Sequence, residues 1–207
     1  AELGDLLSSL VELDDGTVTV DGATVRAGRA GAMAAAGIAV IPENRHDSGC
    51  VLELSVAENL FLHELADGAP FGRHDRAVLN RRAAALIDRY GIQCRGPDAL
   101  LSSLSGGNQQ RVVIARELES APRVLIAAQP TRGLDVGAIE FVTEQLRVAA
   151  AAGIGVVLIS NELEEIIELA DRIIVIHRGS IRGEMAGAAA GPIDVERLGL
   201  LMGGADA

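Results

Sequence analysis

Apolar residues along the chain change their spacing several times, and each spacing predicts an element. Leu3, Leu6, Leu7 and Leu10 stand at i, i+3, i+4 and i+7, which predicts a helix over residues 2–10. Asp15-Gly16 and Asp21-Gly22 are turn signals on either side of the alternating stretch Thr17–Val20, a short strand. Ala39–Ile41 is a small apolar strand that ends at Pro42-Glu43-Asn44-Arg45. From about 54 to 120 the texture becomes helical. Ser55-Val56-Ala57-Glu58 is a capping box, Gly68 to Gly72 a loop, and residues 75–90 a basic amphipathic helix carrying Val78, Leu79, Leu86 and Ile87. A strand–helix alternation follows. Val124–Ala127, Val156–Ile159 and Ile173–Ile176 read as three buried strands. Helices over 137–150 (Ile139, Val142, Leu146 and Ala149 on one face) and 162–170 (Leu163, Ile166, Ile167 and Ala170 inward) separate them. Continuous apolar strands between amphipathic helices predict a parallel sheet covered on both faces. Gly179 turns the chain into Ile181–Met185, and the Ala/Gly-rich stretch from Gly187 predicts a weakly helical, mobile end. No internal repeat stands out.

Composition narrows this picture. A length of 207 residues suits one domain, with room for an inserted subdomain. The hydrophobic share of 49% supports a sizeable core, and an aromatic share of 2% makes that core Ala, Val, Ile and Leu. The net charge of −11 argues against nucleic-acid binding and reads mainly as solubility. Cys50 and Cys94 lie far apart without metal-ligand spacing, as reduced thiols of a cytosolic protein do. No apolar run approaches the roughly 18 residues of a membrane span, and no signal pattern opens the chain. It opens Ala1-Glu2-Leu3 with no methionine, which suggests a piece of a longer polypeptide or removal of the initiator.

The most informative string is Leu104-Ser105-Gly106-Gly107-Asn108-Gln109-Gln110, just before the apolar helical stretch from Arg111 to Arg116. Ser105 offers a hydroxyl, and Gly107 a bare backbone N–H, at the positive end of a helix, where phosphate binds well. A Ser-capped helix after a Gly-rich turn is the plain alternative. All 18 basic residues are arginine, so no G-x-x-x-x-G-K-[ST] loop exists in the sequence.

Four stretches read together, 104–111, 122–138, 158–166 and 170–179, resemble the nucleotide-binding domain of ABC transporters. The resemblance runs from about Glu2 to Met185, and its wording is similar to the second, C-terminal half of tandem sugar and nucleoside importer ATPases, beginning just past the P-loop. It implies an α/β fold: a RecA-like parallel sheet core with helices on both faces, a small N-terminal antiparallel β element and an inserted helical subdomain. The implied division is 1–49 partial core and β element, 50–120 helical subdomain with the signature motif, 121–186 RecA-like core and 187–207 tail.

The resemblance also assigns sites, and several depart from the family pattern. An Asp that holds Mg²⁺ and a Glu that polarises water are expected at the end of the strand after Arg123, where Ala128 and Gln129 stand. Neither can do that work, so no catalytic residue is expected here and no metal site. Asn161 replaces the switch His, and Asn161 with Glu164 also reads as a capping box. Glu43 takes the Q-loop position, with a surface glutamate beside Arg45 as the alternative. Asp135 matches the D-loop and doubles as a helix N-cap. His177 matches nothing catalytic, and His46, His63 and His74, in polar surroundings, read as surface residues.

In the family, each ATP lies between the P-loop of one half and the signature of the other. Ser105, Gly106, Gly107, Asn108 and Gln109 would therefore complete the ATP and Mg²⁺ site of a first half and drive closure. The implied partners are that first half, the transmembrane permease subunits and, indirectly, a substrate-binding protein. The implied location is the inner face of the cell membrane. Glu43, Asn44 and the loop near Glu53–Val56 would line the groove where the permease docks. A stand-alone, non-catalytic ABC-like module is the competing reading. A soluble ABC-type ATPase acting on DNA or ribosomes is disfavoured by the acidic charge and by the importer-type wording of the signature.

Overall fold

The computed structural model describes residues 2–7, 11–25, 28, 31–66 and 76–204. It divides into two compact units, Ala1–Ile159 and Ser160–Ala207.

The first unit is built on a three-stranded parallel sheet in the order β3-β4-β5, with β3 Ile38–Ile41, β4 Val124–Ala128 and β5 Gly155–Ile159. Val40 lies opposite Ile126, and Ile126 opposite Val157. β4 is central, and Leu125 to Ala128 are all buried, as the unbroken apolar run requires of a strand covered on both faces. Helix α1 (Glu2–Leu7) packs on β4, and α2 (Ala32–Ala35) on β3. Ahead of α2, β1 (Val18–Val20) and β2 (Ala23–Val25) form an antiparallel hairpin. Its turn residues, Asp21 (φ 50°) and Gly22 (φ 79°), are both left-handed, as a tight two-residue hairpin needs.

After β3 comes a single π-helical turn, Arg45–Gly49, whose start is capped by the Asn44 side chain accepting from His46 N–H. Helices α3 (Val56–Leu60), α4 (Leu62–Ala66) and α5 (Arg76–Arg89) follow. The expected capping box is present: Ser55 Oγ accepts from Glu58 N–H while the Glu58 carboxylate accepts from Ser55 N–H. A 3₁₀ turn, Leu101–Ser103, leads into α6 (Gly106–Glu119), which packs on α3, β3 and α7 (Val136–Ala151). The core is aliphatic, with Ile41, Leu101, Ile114, Leu125, Ile126 and Val142 fully buried.

In the second unit, α8 (Leu163–Leu169) precedes the antiparallel pair β6 (Arg172–His177) and β7 (Ser180–Ala186). A 3₁₀ turn, Ala188–Ala190, and α9 (Val195–Met202) complete it. Ile173, Val175, Leu198 and Leu201 form its core, with Leu163, Ile166, Ile167 and Ala170 packed against them as expected.

Several expectations need correction. The apolar stretch Ile173–Ile176 is a member of a two-stranded antiparallel sheet. Ile173 and Val175 are buried while Ile174 and Ile176 are exposed, so only alternate residues are covered. Val78 is 41% exposed, because the buried stripe of α5 runs Leu79, Ala83, Leu86 and Val78 stands one residue off it. Ile139 is likewise 37% exposed, and the inward face of α7 begins at Ala138. Asn161 does not cap the helix that follows. The N-cap is Glu162, which makes no side-chain cap bond, and Ser160 Oγ accepts from Glu162 N–H instead. The tail is docked: Asp194 caps α9, and Leu198 and Leu201 are fully buried. Gly183 makes room for this, since a Cβ there would lie 2.8 Å from Leu201 Cδ1. Leu10, the loop from Gly68 to Gly72 and His74 lie outside the described residues.

Leu198→Ala should therefore destabilise the C-terminal unit by about 2–5 kcal/mol. Hydrogen exchange on the α9 amides checks this, and exchange as fast as that of a frayed end in the unaltered protein would contradict the docking.

Candidate functional site

The C-terminal ends of parallel strands in an open α/β sheet are where ligands bind. Here the ends of β3, β4 and β5 open on a cleft of about 720 Å³ whose walls include Gly4, Glu43, Asn44, Ala128, Arg132 and Ile159. Ala128 closes β4 with a buried methyl. α1 lies hard against it, since a Cβ on Gly4 would stand 3.3 Å from Ala128 Cβ. Gln129 takes a left-handed φ of 47° and donates its N–H to Ile159 O at 2.7 Å. Such a conformation costs a non-glycine residue about 1–3 kcal/mol and turns the chain sharply out of the sheet into Pro130. Glu43 is not simply a surface neighbour of Arg45. Its carboxylate accepts from Arg132 Nη1 at 2.6 Å, tying the loop after β3 to the loop after β4. The pair is solvent-accessible and contributes at most about 1 kcal/mol.

These residues do not fit a magnesium–phosphate site. The strand end presents the methyl of Ala128 and then the amide of Gln129, which offer no charged oxygen ligand, and Glu43 is engaged by an arginine. Among the described residues no cluster of three or more His, Cys, Asp or Glu could hold a metal ion.

The signature segment stands apart from this cleft; none of Ser105 to Gln109 lines it. Ser105 is exposed and is the N-cap of α6. Its Oγ accepts from Asn108 N–H (3.4 Å) and from Asn108 Nδ2 (3.0 Å). Asn108 Oδ1 in turn accepts from Gln93 N–H at 2.7 Å. A hydroxyl has two lone pairs and one proton, so with both lone pairs engaged Ser105 can only donate outward. An exposed donor at the positive end of a 14-residue helix is suited to a phosphate oxygen.

The two glycines are accounted for within the chain. A Cβ on Gly106 would lie 2.8 Å from Arg45 Nη2, and one on Gly107 would lie 2.9 Å from Ala138 Cβ and 3.5 Å from Asp135 Oδ2. Asp135 caps α7 by accepting from Ala138 N–H at 2.9 Å. The glycines thus let α6 sit directly on the Arg45 side chain and on the start of α7.

Gln109 and Gln110, both buried, bind the surrounding loops. Gln109 Nε2 donates to Leu101 O (3.3 Å) and Leu104 O (3.1 Å), and its Oε1 faces His46 Nε2 at 2.9 Å. Gln110 Nε2 donates to Pro130 O at 2.9 Å. Further along α6, buried Arg116 donates from Nη2 to Gly49 O (2.7 Å) and from Nε to Glu117 (2.8 Å). Burial pushes the Glu117 carboxyl up, but the hydrogen bond from His63 and the charge of Arg116 outweigh it and hold the group below its ordinary value. Burial pushes the free Cys50 thiol up, in keeping with an unreactive thiol.

Of the residues singled out in the sequence, Glu43 and Ala128 line the cleft, Gln129 follows directly on Ala128, and Ser105 to Asn108 with Asp135 cluster apart from it at the start of α6, with Gln109 buried beneath. Asn161 is exposed at the start of the other unit. The pairings of Arg132, Gln110 and His46 were not foreseen. Their partners lie 89, 20 and 63 residues away in sequence, and no local spacing signals such pairs.

A sequence profile of the ABC transporter family matches residues 2–132. The chain is similar to the nucleoside import ATP-binding protein NupA of Lactococcus lactis, with 39% identity over 184 residues, 88% of this chain and 36% of that protein. It is 39% identical over 206 residues to the guanosine import ATP-binding protein NupO of Bacillus subtilis, covering 99% of this chain and 40% of that protein. It is 37% identical over 185 residues to the ribose import ATP-binding protein RbsA of Bacillus licheniformis, covering 89% and 38%. The chain thus spans well under half the length of these relatives. Among solved structures, the dimeric post-hydrolysis state of the ATP-binding cassette MJ0796 bound to ADP and Pi superposes with a TM-score of 0.72 at 22% identity, covering 89% of this chain and 79% of that one. The ADP conformation of the cassette MJ1267 gives 0.75 at 18%, covering 98% and 78%. At these identities the likeness is one of fold, the RecA-like core of ATP-binding cassettes.

Gly107→Ala should lower stability by about 1–3 kcal/mol, because Ala138 is fixed in α7 and cannot move aside. Gly106→Ala should cost less, because the opposing atom is the tip of the flexible Arg45 side chain. Melting temperatures of the two variants check the order.

Proposed function

This chain belongs to the ABC transporter family, as a homologue of sugar and nucleoside import ATP-binding proteins, and from that premise we propose that it is the second, non-hydrolysing nucleotide-binding half of an importer ATPase. In this reading residues 50–120 are its helical subdomain, carrying the signature at their C-terminal side. Ser105 to Gln109 complete an ATP and Mg²⁺ site whose P-loop and carboxylates belong to a first half, so that ATP binding there pulls the halves together. The chain's own cleft, with Ala128 and Gln129 at the strand end, turns nothing over.

The observation that carries the reading is the hydrogen-bonding state of Ser105. Its two lone pairs are engaged by Asn108, which leaves the hydroxyl proton of this exposed residue to donate, at the N-terminus of α6 and outside the chain's own cleft. A donor so placed is useful to a phosphate brought by another body. MJ0796 is dimeric with ADP and Pi, which supports the pairing. NupA, NupO and RbsA are named for the import of nucleosides, guanosine and ribose, which supports a nucleoside or simple sugar as cargo. Permease subunits would bring the protein to the inner face of the membrane. Among the described residues no helix is long and apolar enough to cross it.

Ser105→Ala in the complete polypeptide should lower ATP turnover by about 100- to 1000-fold, the loss expected for a donor used mainly in the transition state. Steady-state ATPase assays check this, and unchanged turnover would rule out the cross-site role. The 207-residue chain alone should show no magnesium-dependent ATP turnover. A phosphate-release assay on pure chain reads this directly, and measurable turnover abolished by EDTA would refute the assignment of an inert half.

A further inference from the structure

We propose that His46 is a positioning residue for the ATP-closing end of α6: through Gln109 it fixes the turn that presents Ser105, and so couples the loop after β3 to the signature. The proposal rests on the cross-site reading of Ser105 given above. Its geometry starts with an amide that has no rotational choice. Gln109 Nε2 faces two carbonyls, Leu101 O and Leu104 O, so it is the nitrogen, and the other amide atom is the acceptor oxygen. That oxygen lies 2.9 Å from His46 Nε2, so His46 donates from Nε2. Gln109 is only 7% exposed, and among the described residues His46 is the sole partner of its Oε1. Without the imidazole, a buried carbonyl oxygen would lose its hydrogen bond.

The two carbonyls held by Gln109 belong to the 3₁₀ turn and to Leu104, the residue immediately before Ser105. Any shift of the amide is therefore passed to Ser105 through one peptide unit. The other end of the link is equally fixed. His46 N–H is held by Asn44 Oδ1 at 3.1 Å in the π-turn, and the neighbouring Arg45 places its guanidinium against Gly106. The π-turn thus touches the start of α6 at two points, Gly106 and Gln109, and Glu43 and Asn44 lie just before it in the wall of the cleft. A displacement of that loop reaches the signature through His46 without crossing the sheet.

The experiment uses the complete polypeptide with its permease and compares His46→Ala, His46→Gln, His46→Asn and Ser105→Ala in kcat, KM for ATP and melting temperature. His46→Ala should lower kcat about fivefold, the equivalent of one neutral hydrogen bond, with KM unchanged and the melting temperature slightly lowered by the unpaired Gln109 oxygen. A glutamine amide nitrogen reaches the place of the imidazole Nε2, so His46→Gln should restore kcat. The shorter asparagine does not reach it and should behave like alanine. Wild-type kcat in His46→Ala beside a crippled Ser105→Ala overturns the positioning role and leaves the cross-site reading standing. Equal rescue by asparagine, or no rescue by glutamine, also overturns it. Wild-type turnover in Ser105→Ala overturns both.

Discussion

Everything distinctive in the first unit depends on two adjacent buried amides. Gln109 and Gln110 sit on the first turn of α6, where a helix interior would ordinarily bury apolar side chains. A buried amide left unpaired costs more than its hydrogen bonds gain, so the surrounding loops must come to it. The turn at Leu101–Leu104, the π-turn at His46 and the post-strand loop at Pro130 all do so. Three segments far apart in sequence are thereby set relative to one helix end. Aliphatic packing beneath, from Val112, Val113 and Ile114, fixes the axis of that helix but cannot select its rotation or register as directional bonds do.

Much of this was legible in the residues. The strand runs, the capping box at Ser55 and the N-caps at Ser105 and Asp135 all follow from local patterns that the fold obeys. What was not legible is tertiary. Ile173–Ile176 has the composition of a strand buried on both faces, yet only its alternate residues are covered, because composition does not encode which face has a neighbour. Val78 and Ile139 are apolar at nearly the right helical phase, and one residue of phase is 100° of helix. At Asn161 the local pattern Asn-x-x-Glu was matched, but the helix begins one residue later and leaves it outside. The site divides the same way. Ser105 and Asp135 could be found from their flanking sequence; the bonds of Arg132 to Glu43 and His46 to Gln109 could not, since nothing in either segment specifies its partner.

The end of β4 carries no charge, and its residues are held by packing and by the backbone. Ala128 packs under α1 instead of presenting a charge, and Gln129 keeps a backbone bond to Ile159 across the strand ends. Arg132 spans the cleft to Glu43, so the loops after β3 and β4 hold each other. That clasp is weak by virtue of its exposure. Closing it costs little and opening it costs little, so it sets a resting geometry without locking it.

The glycines of the signature invite a phosphate explanation, and here they have a sufficient structural one. Arg45 occupies the space beside Gly106, and Ala138 the space beside Gly107, so both positions would exclude a side chain in a protein that never met a nucleotide. The inference to a ligand must therefore rest elsewhere. It rests on Ser105, which is exposed and has its acceptor capacity used up by Asn108 so that only a donor remains. A residue needed only to cap α6 would be served equally by aspartate or asparagine. Aspartate there would turn the outward donor into a negative charge facing phosphate, and asparagine would replace the small hydroxyl with a bulkier amide. Serine is the capping residue that satisfies the helix and still offers a compact, neutral donor, and on that distinction the functional reading stands.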